Sequence, residues 1–307
     1  MKHLSRSTQD LLSLTREQRA SACMRDFWIE YPSAVQAMES AKALLALPRG
    51  INNPGMLVIG ISGAGKTAMI KRWVAQSWEA NSRWAGRLIY VDMSEDTNDL
   101  NVQKRLIQEI GKACNKPHLR SVAEAQQVIR EFNILGAVID ELGETEEPSI
   151  ARRWKVNLLS IRGLAGERWR LNLILAGTPS FADTVKGNDQ TAARFAIRCA
   201  TLKPWALNEN LAAFISGCAR YMPLMQESPV TSDSFLEALI AFSTSPSSGS
   251  DPVAQLRAML DLFKETCKNS VLNGKEYVDD IDLGLTYVKL GGEESEVARS
   301  ADITIKK

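Results

Sequence analysis

Histidine is almost missing from this chain. His3 and His118 are the only two in 307 residues, which argues against a histidine-based catalytic triad or an imidazole metal centre. Cysteine is sparse and scattered. Cys23, Cys114, Cys199, Cys218 and Cys267 are odd in number and form no CxxC pair, so neither a disulfide framework nor a zinc site is indicated. Reduced, mostly buried thiols are the expectation. No apolar run approaches the roughly 18 residues of a membrane span, and the opening MKHLSRSTQD has no hydrophobic signal core. A cytoplasmic protein without a membrane partner is therefore expected. Net charge is also lacking: at +1, the global field does not announce nucleic acid. What the chain does have is 45% hydrophobic residues, enough for one large core and a smaller satellite domain.

The most informative stretch is GISGAGKT, Gly60 to Thr67, between the apolar run Met56 to Ile59 and the helix-like AMIKRWVAQSW. Gly60, Gly63 and Gly65 permit the tight turn that aims several backbone N–H groups at one point, where a helix N-terminus adds its positive end. This is the sequence of a phosphate-binding P-loop in its strand-to-helix context. With ATP as the cofactor, Lys66 reaches the β- and γ-phosphates, Thr67 ligates Mg²⁺, and Ser62, Ala64 and Ala68 complete the cradle.

A second metal-side element lies at LGAVIDE, Leu135 to Glu141. The nearly unbroken apolar run reads as a strand buried on both faces of a parallel sheet. Asp140 then emerges at the strand's carboxyl end, where open α/β sheets bind ligands, and can hold the Mg²⁺ shell. Glu141 beside it can act as general base on the attacking water.

Around these motifs the chain alternates strands and helices. Ser33 caps a helix with Val35, Met38, Ala41, Leu44 and Leu45 at helical spacing. Arg87 to Asp92 reads as a second strand, a helix follows from about 99 to 113, and Ser121 with Glu124 forms a capping-box signature for a helix up to Phe132. Leu171 to Thr178 is a further strand. Ala196 to Leu202 is a fifth, alternating more than the others and so nearer an edge. Such alternation implies an α/β fold with a parallel sheet covered by helices. The pattern stops at Pro204, and from Asn208 only helical periods appear, at 208–221, 232–242, 252–267 and 277–290. The expected organisation is a flexible arm over 1–25, a nucleotide-binding α/β domain over 26–204, a small all-helical lid over 205–290, and a charged, disordered tail over 291–307. Arg152, Arg153, Lys155, Arg162, Arg168 and Arg170, against the single acid Glu167, form either a solvated helix face or a surface for polyphosphate, DNA or an acidic neighbour.

FWIEYPSAVQAMESAKALLALP ahead of the P-loop, VIDE, LILAGTPSF and GNDQTAARF together resemble the TniB and TnsC group of AAA+ ATPases that regulate DNA transposition. The resemblance runs from about Arg25 into the lid, and WIEYP is its most family-specific part. It implies an AAA+ P-loop NTPase fold and an ATP-dependent regulator that oligomerises, as a ring or helical filament, on double-stranded DNA. It implies as partners a TniA- or TnsB-like transposase, which the regulator recruits or activates, and leaves room for a TniQ-like target-selection protein. Carried over by residue, Thr178 matches sensor 1 and Arg194 the arginine finger that reaches a neighbouring subunit's nucleotide. Tyr31 and Pro32 fall beside the adenine, with aromatic core packing the competing role for Tyr31.

The family's DNA-contacting loops correspond here to segments containing Asn98, Lys104, Lys116, Arg120 and Ser121. One position departs from the pattern: Val253 stands where family members carry the lid arginine of sensor 2, and Arg257, one helical turn on, shares its face. Two other readings stay open, a helicase-loader or secretion-type AAA+ ATPase and a nucleotide-gated signalling scaffold with little hydrolysis.

Overall fold

The computed structural model describes residues 2–94, 101–141, 160–187, 189–195, 197–245 and 253–292, and the chain divides into two compact units, Ser33–Lys203 and Met1–Pro32 with Pro204–Lys307.

In Ser33–Lys203 the apolar runs become the strands β1 (Met56–Gly60), β2 (Arg87–Asp92), β3 (Ile134–Asp140), β4 (Asn172–Gly177) and β5 (Cys199–Leu202). They form one sheet in the order β2-β3-β4-β1-β5, with every neighbouring pair parallel. β1, β3 and β4 are interior strands, and β1 and β4 are buried along their whole length, as unbroken apolar sequences require. β5 is an edge strand and largely solvent-facing, in keeping with its alternating sequence, although it starts at Cys199 rather than Ala196.

Leu57, Ile89, Val91, Ile139, Leu173 and Leu175 belong to one buried cluster, with Leu106 and Ile110 from the helix Val102–Ala113 and Val128 from the helix Val122–Glu131. The Ser121–Glu124 capping box forms as expected, each side chain bonded to the other residue's backbone N–H. Beneath β1, a Cβ on Gly55 would strike the Phe195 ring, so this position accepts no side chain.

The helix ahead of the P-loop differs in two details. It starts at Pro32, whose fixed φ and missing N–H suit a first turn, so Ser33 is not its cap. Its buried face is Ala34, Ala37, Ala41, Leu44 and Leu45, whereas Val35 is exposed and Met38 half-buried. Alanines let the backbone approach closely, which the bulkier pair would prevent.

The second unit is mainly helical. Glu209–Ala219, Asp233–Phe242 and Asp280–Lys289 fall within the periodic segments, but the helix expected over 252–267 runs Leu256–Asn273, and Val253–Ala254 instead pairs antiparallel with Thr244–Ser245, so the unit is not all-helical. Residues 1–25, expected as a flexible arm, instead carry the helices Arg6–Gln9 and Arg16–Cys23, and the second packs on Leu256–Asn273. Thr15 and Gln18 cap it reciprocally. Arg19 is buried and donates to Glu276 Oε2 at 2.7 Å and to the Pro223 carbonyl at 3.0 Å. That hydrogen bond, ahead of the opposing effect of burial, holds the Glu276 carboxyl below its ordinary pKa. The compact unit also takes in residues 26–32, so the division falls at Pro32 rather than at 25. Most of the expected disordered tail lies outside the described residues.

Among the described residues no helix is long and apolar enough to cross a membrane.

Candidate functional site

β1 ends at Gly60, and the chain turns through Gly63 (φ 72°) and Gly65 (φ 85°) into the helix Lys66–Ser77. Both glycines occupy the left-handed region that an L side chain resists, and Gly65 is the N-cap, so the helix's unpaired N–H groups open directly onto the loop. Ala64 is buried inside the turn, while Ser62 and Ala68 are exposed. Lys66 spans the loop and donates to the carbonyl oxygens of Gly60 at 2.8 Å and Ile61 at 2.9 Å. Burial lowers its pKa, against the raising influence of the negative charges of Asp140 and Glu141.

Thr67, one residue into the helix, donates through Oγ1 to Asp140 Oδ2 at 2.7 Å. Asp140 is fully buried at the carboxyl end of β3, and its Oδ1 accepts the Glu141 backbone N–H at 3.0 Å. Glu141 is exposed and has a φ of 54°, a left-handed turn that carries the chain out of the sheet. Two hard oxygen donors, the Thr67 hydroxyl and the Asp140 carboxylate, thus converge beside the P-loop, a donor set that suits Mg²⁺. β4 lies between β3 and β1, so Thr178, which follows its last residue, stands at the same end of the sheet. Its hydroxyl accepts the Phe181 N–H at 3.3 Å and caps the helix Pro179–Lys186.

Two neighbours escaped the sequence reading. Asp92 ends β2 as Asp140 ends β3, and the register makes the two Cα partners. The Tyr90 hydroxyl lies 3.3 Å from Asp92 Oδ2 and 3.2 Å from Asp140 Oδ2, a bridge between the two carboxylates. Burial and the charges of Asp140 and Asp92 push its phenol well above the ordinary value, so it remains a proton donor. Burial alone would raise the Asp92 carboxyl, but hydrogen bonds from Ser94 and Tyr90 and the charge of Lys71 bring it below the ordinary value. The available signal was the shared ending of two apolar runs in aspartate.

Arg194 is not at this end of the sheet. Its carbonyl accepts the N–H of Gly55, which precedes β1, so the residue sits at the amino end of the strand whose carboxyl end is the P-loop. Its guanidinium donates to the Arg162 carbonyl at 2.6 Å and to Asn52 Oδ1 at 2.7 Å.

The remaining expected residues are dispersed. Tyr31 is 7% exposed, its ring 5.4 Å from that of Trp205 and 5.7 Å from that of Phe214, and burial pushes its phenol up to about 12. This is the aromatic packing role. Pro32 is exposed on the first turn of its helix. Lys104, Lys116 and Arg120 are exposed on or beside the helices Val102–Ala113 and Val122–Glu131, with Lys116 paired to Glu131 at 3.4 Å. The Ser121 hydroxyl is occupied as a cap, and Asn98, Arg152, Arg153 and Lys155 lie outside the described residues. Val253 begins the second short strand of its pair, and Arg257 is exposed and lies 3.8 Å from Asp261.

A family model described as Bacterial TniB protein matches residues 19–207. A search of curated proteins finds no match. Among solved structures the chain is similar to Cdc6p from Pyrobaculum aerophilum, with a TM-score of 0.58 and 17% identity over 87% of this chain and 69% of that one. It is similar to ORC1 from Aeropyrum pernix in complex with DNA, at a TM-score of 0.56 and 13% identity over 88% and 69%. For Drosophila ORC bound to DNA the TM-score is 0.55 and the identity 14%, over 92% and 67%. At such identities the likeness speaks for the fold, the helix-covered parallel sheet of AAA+ proteins.

Proposed function

This chain belongs to the TniB family, and from that premise we propose that it is an ATPase that assembles on double-stranded DNA and there recruits or activates a transposase. The observation that carries the ATPase reading is the 2.7 Å bond from Thr67 to the buried Asp140 beside a formed P-loop. One side of this end of the sheet offers N–H groups and Lys66 to phosphate oxygens, and the other offers oxygen donors to a cation.

In this reading Lys66 leaves its two loop carbonyls for the β- and γ-phosphates. Thr67 and Asp140 hold Mg²⁺, which when bound neutralises charge on the phosphates. Glu141 takes the proton of the attacking water, and Thr178 orients that water near the γ-phosphate. Tyr90 keeps Asp140 in place. Arg194, at the far end of β1, serves the nucleotide of the adjacent copy.

DNA binding and assembly rest on family membership and on the DNA-bound solved structures of the same fold. Ile51 and Ile197, 71% and 81% exposed, lie on the two segments joined by the Arg194–Asn52 bond, and an assembly through that face would cover them. Transposase recruitment rests on the family alone. The test is electron microscopy of the purified chain on duplex DNA, with and without ATP. Assemblies that form equally well without nucleotide would overturn the reading.

Lys66→Ala is expected to weaken ATP binding by about 10- to 100-fold, the worth of a charge-assisted hydrogen bond to phosphate. The fold should persist, because the lysine donates to two carbonyls of the loop itself and not to the core. Titration calorimetry checks this, and unchanged affinity would remove the P-loop assignment.

Duplex binding is expected to require ATP, to show little sequence preference, and to weaken steeply with salt, because cationic and backbone groups would contact phosphates. Changing Lys104, Lys116 and Arg120 together to alanine should flatten the plot of log affinity against log salt by at most about 3 units. Anisotropy titrations across a salt series measure the slope, and one unchanged by the triple substitution would exclude these side chains.

A further inference from the structure

Arg194 is fixed at both ends. At its base, Phe195 is fully buried under Gly55, and the Gly55 N–H donates to the Arg194 carbonyl at 2.9 Å. At its tip, the guanidinium meets Asn52 Oδ1 at 2.7 Å and the Arg162 carbonyl at 2.6 Å. The platform beneath is itself braced. Asn53 is buried, its backbone and side-chain N–H groups both donate to the Ala165 carbonyl, and Asn52 forms an isolated antiparallel bridge with Gly166. Three segments, 50–55, 162–166 and 194–195, are thus stitched together around one cation.

The choice of acceptors matters. A carboxylate partner would offset a guanidinium's charge as well as hold it. Here both acceptors are neutral, so the guanidinium is oriented without losing its charge, and Arg162 adds a second positive group nearby. A cation displayed in this way is prepared for an external anion. Asn52 is exposed, so nothing in the core demands its side chain.

We infer that Asn52 is a positioning residue, holding Arg194 in the orientation from which it reaches the nucleotide of the adjacent subunit. The inference rests on the proposed role of Arg194 and adds the residue that sets its direction. The segment 50–55 that carries Asn52 runs straight into β1 and the P-loop.

The test is the Mg–ATP hydrolysis rate of DNA-assembled chains for Asn52→Leu, Arg194→Ala and the double variant. Asn52→Leu is expected to lower the assembly-stimulated kcat about 10- to 100-fold, the cost of a misplaced catalytic group. KM for ATP should stay unchanged. The double variant should be no slower than Arg194→Ala, because a misdirected finger and a missing one fail at the same step. Mixing Asn52→Leu with Lys66→Ala chains should restore activity, since the latter present well-held fingers to intact P-loops.

A parental rate for Asn52→Leu overturns the inference, and so does a faster one, which would make the contact a latch. Losses that multiply in the double variant would mean that Asn52 acts elsewhere. If Arg194→Ala itself loses nothing, the finger reading fails and takes this inference with it. A loss for Arg194→Ala without one for Asn52→Leu removes only the role of Asn52.

Discussion

Glu141→Gln is expected to bind Mg–ATP as tightly as the parent and to hydrolyse it about 10²- to 10⁴-fold more slowly, the range spanned by loss of a general base. The exposed carboxylate follows directly on the buried Asp140, and its backbone N–H is spent on Asp140 Oδ1 at 3.0 Å. The φ of 54° costs on the order of 1–3 kcal/mol for a residue other than glycine. That cost is tolerated where the fold fixes a side chain's direction. Glutamine has the same length and leaves the backbone bond untouched, so Asp140 and Thr67 keep their places.

Assemblies formed with ATP should then outlive those of the parent, because the event that dissolves them is delayed. Asp140→Asn offers the contrast. It alters the group that receives Thr67 and Tyr90 and should damage nucleotide binding itself. Single-turnover hydrolysis and binding titrations separate the two outcomes, and a parental rate for Glu141→Gln would show that another group is the base.

Much of this architecture was legible in the sequence because short-range physics dictated it. β2 occupies Arg87–Asp92, as its apolar run requires, and the Ser121–Glu124 box closes because both halves lie within one helical turn. What was not legible depends on partners distant in the chain. The polar segment 1–25 lacks a strong apolar pattern, yet its second helix is held by Arg19 meeting Glu276, 257 residues later. Val35 and Met38 looked like a core face by size, but alanines fill the close approach that the helix makes. The Tyr90 bridge needed the register of β2 on β3, which no local motif encodes. Tyr31 could have faced a base or a core, and only the placement of Trp205 and Phe214 decides for the core.

Arg194→Ala is expected to leave ATP binding by the single chain intact and to remove most of the hydrolysis that assembly stimulates, a loss on the order of 10³-fold. A finger acts by placing positive charge against the developing negative charge of the transition state, in a site from which water is excluded. Arg194 cannot do this for its own subunit in the observed arrangement. It stands at the amino end of β1, roughly 17 Å of strand from the P-loop at a rise of about 3.3 Å per residue. In the proposed role, the nucleotide it serves therefore belongs to another copy.

Mixing decides the matter. Lys66→Ala chains have a damaged P-loop and an intact finger, and Arg194→Ala chains have the reverse. In a random equimolar assembly built by head-to-tail contacts, roughly one interface in four joins an intact P-loop to an intact finger. Activity should therefore return to about a quarter of the parental level, although each variant alone is nearly inert. A mixture that co-assembles on DNA yet stays as inactive as its parts would mean that Arg194 works within its own chain or only supports the junction with Asn52.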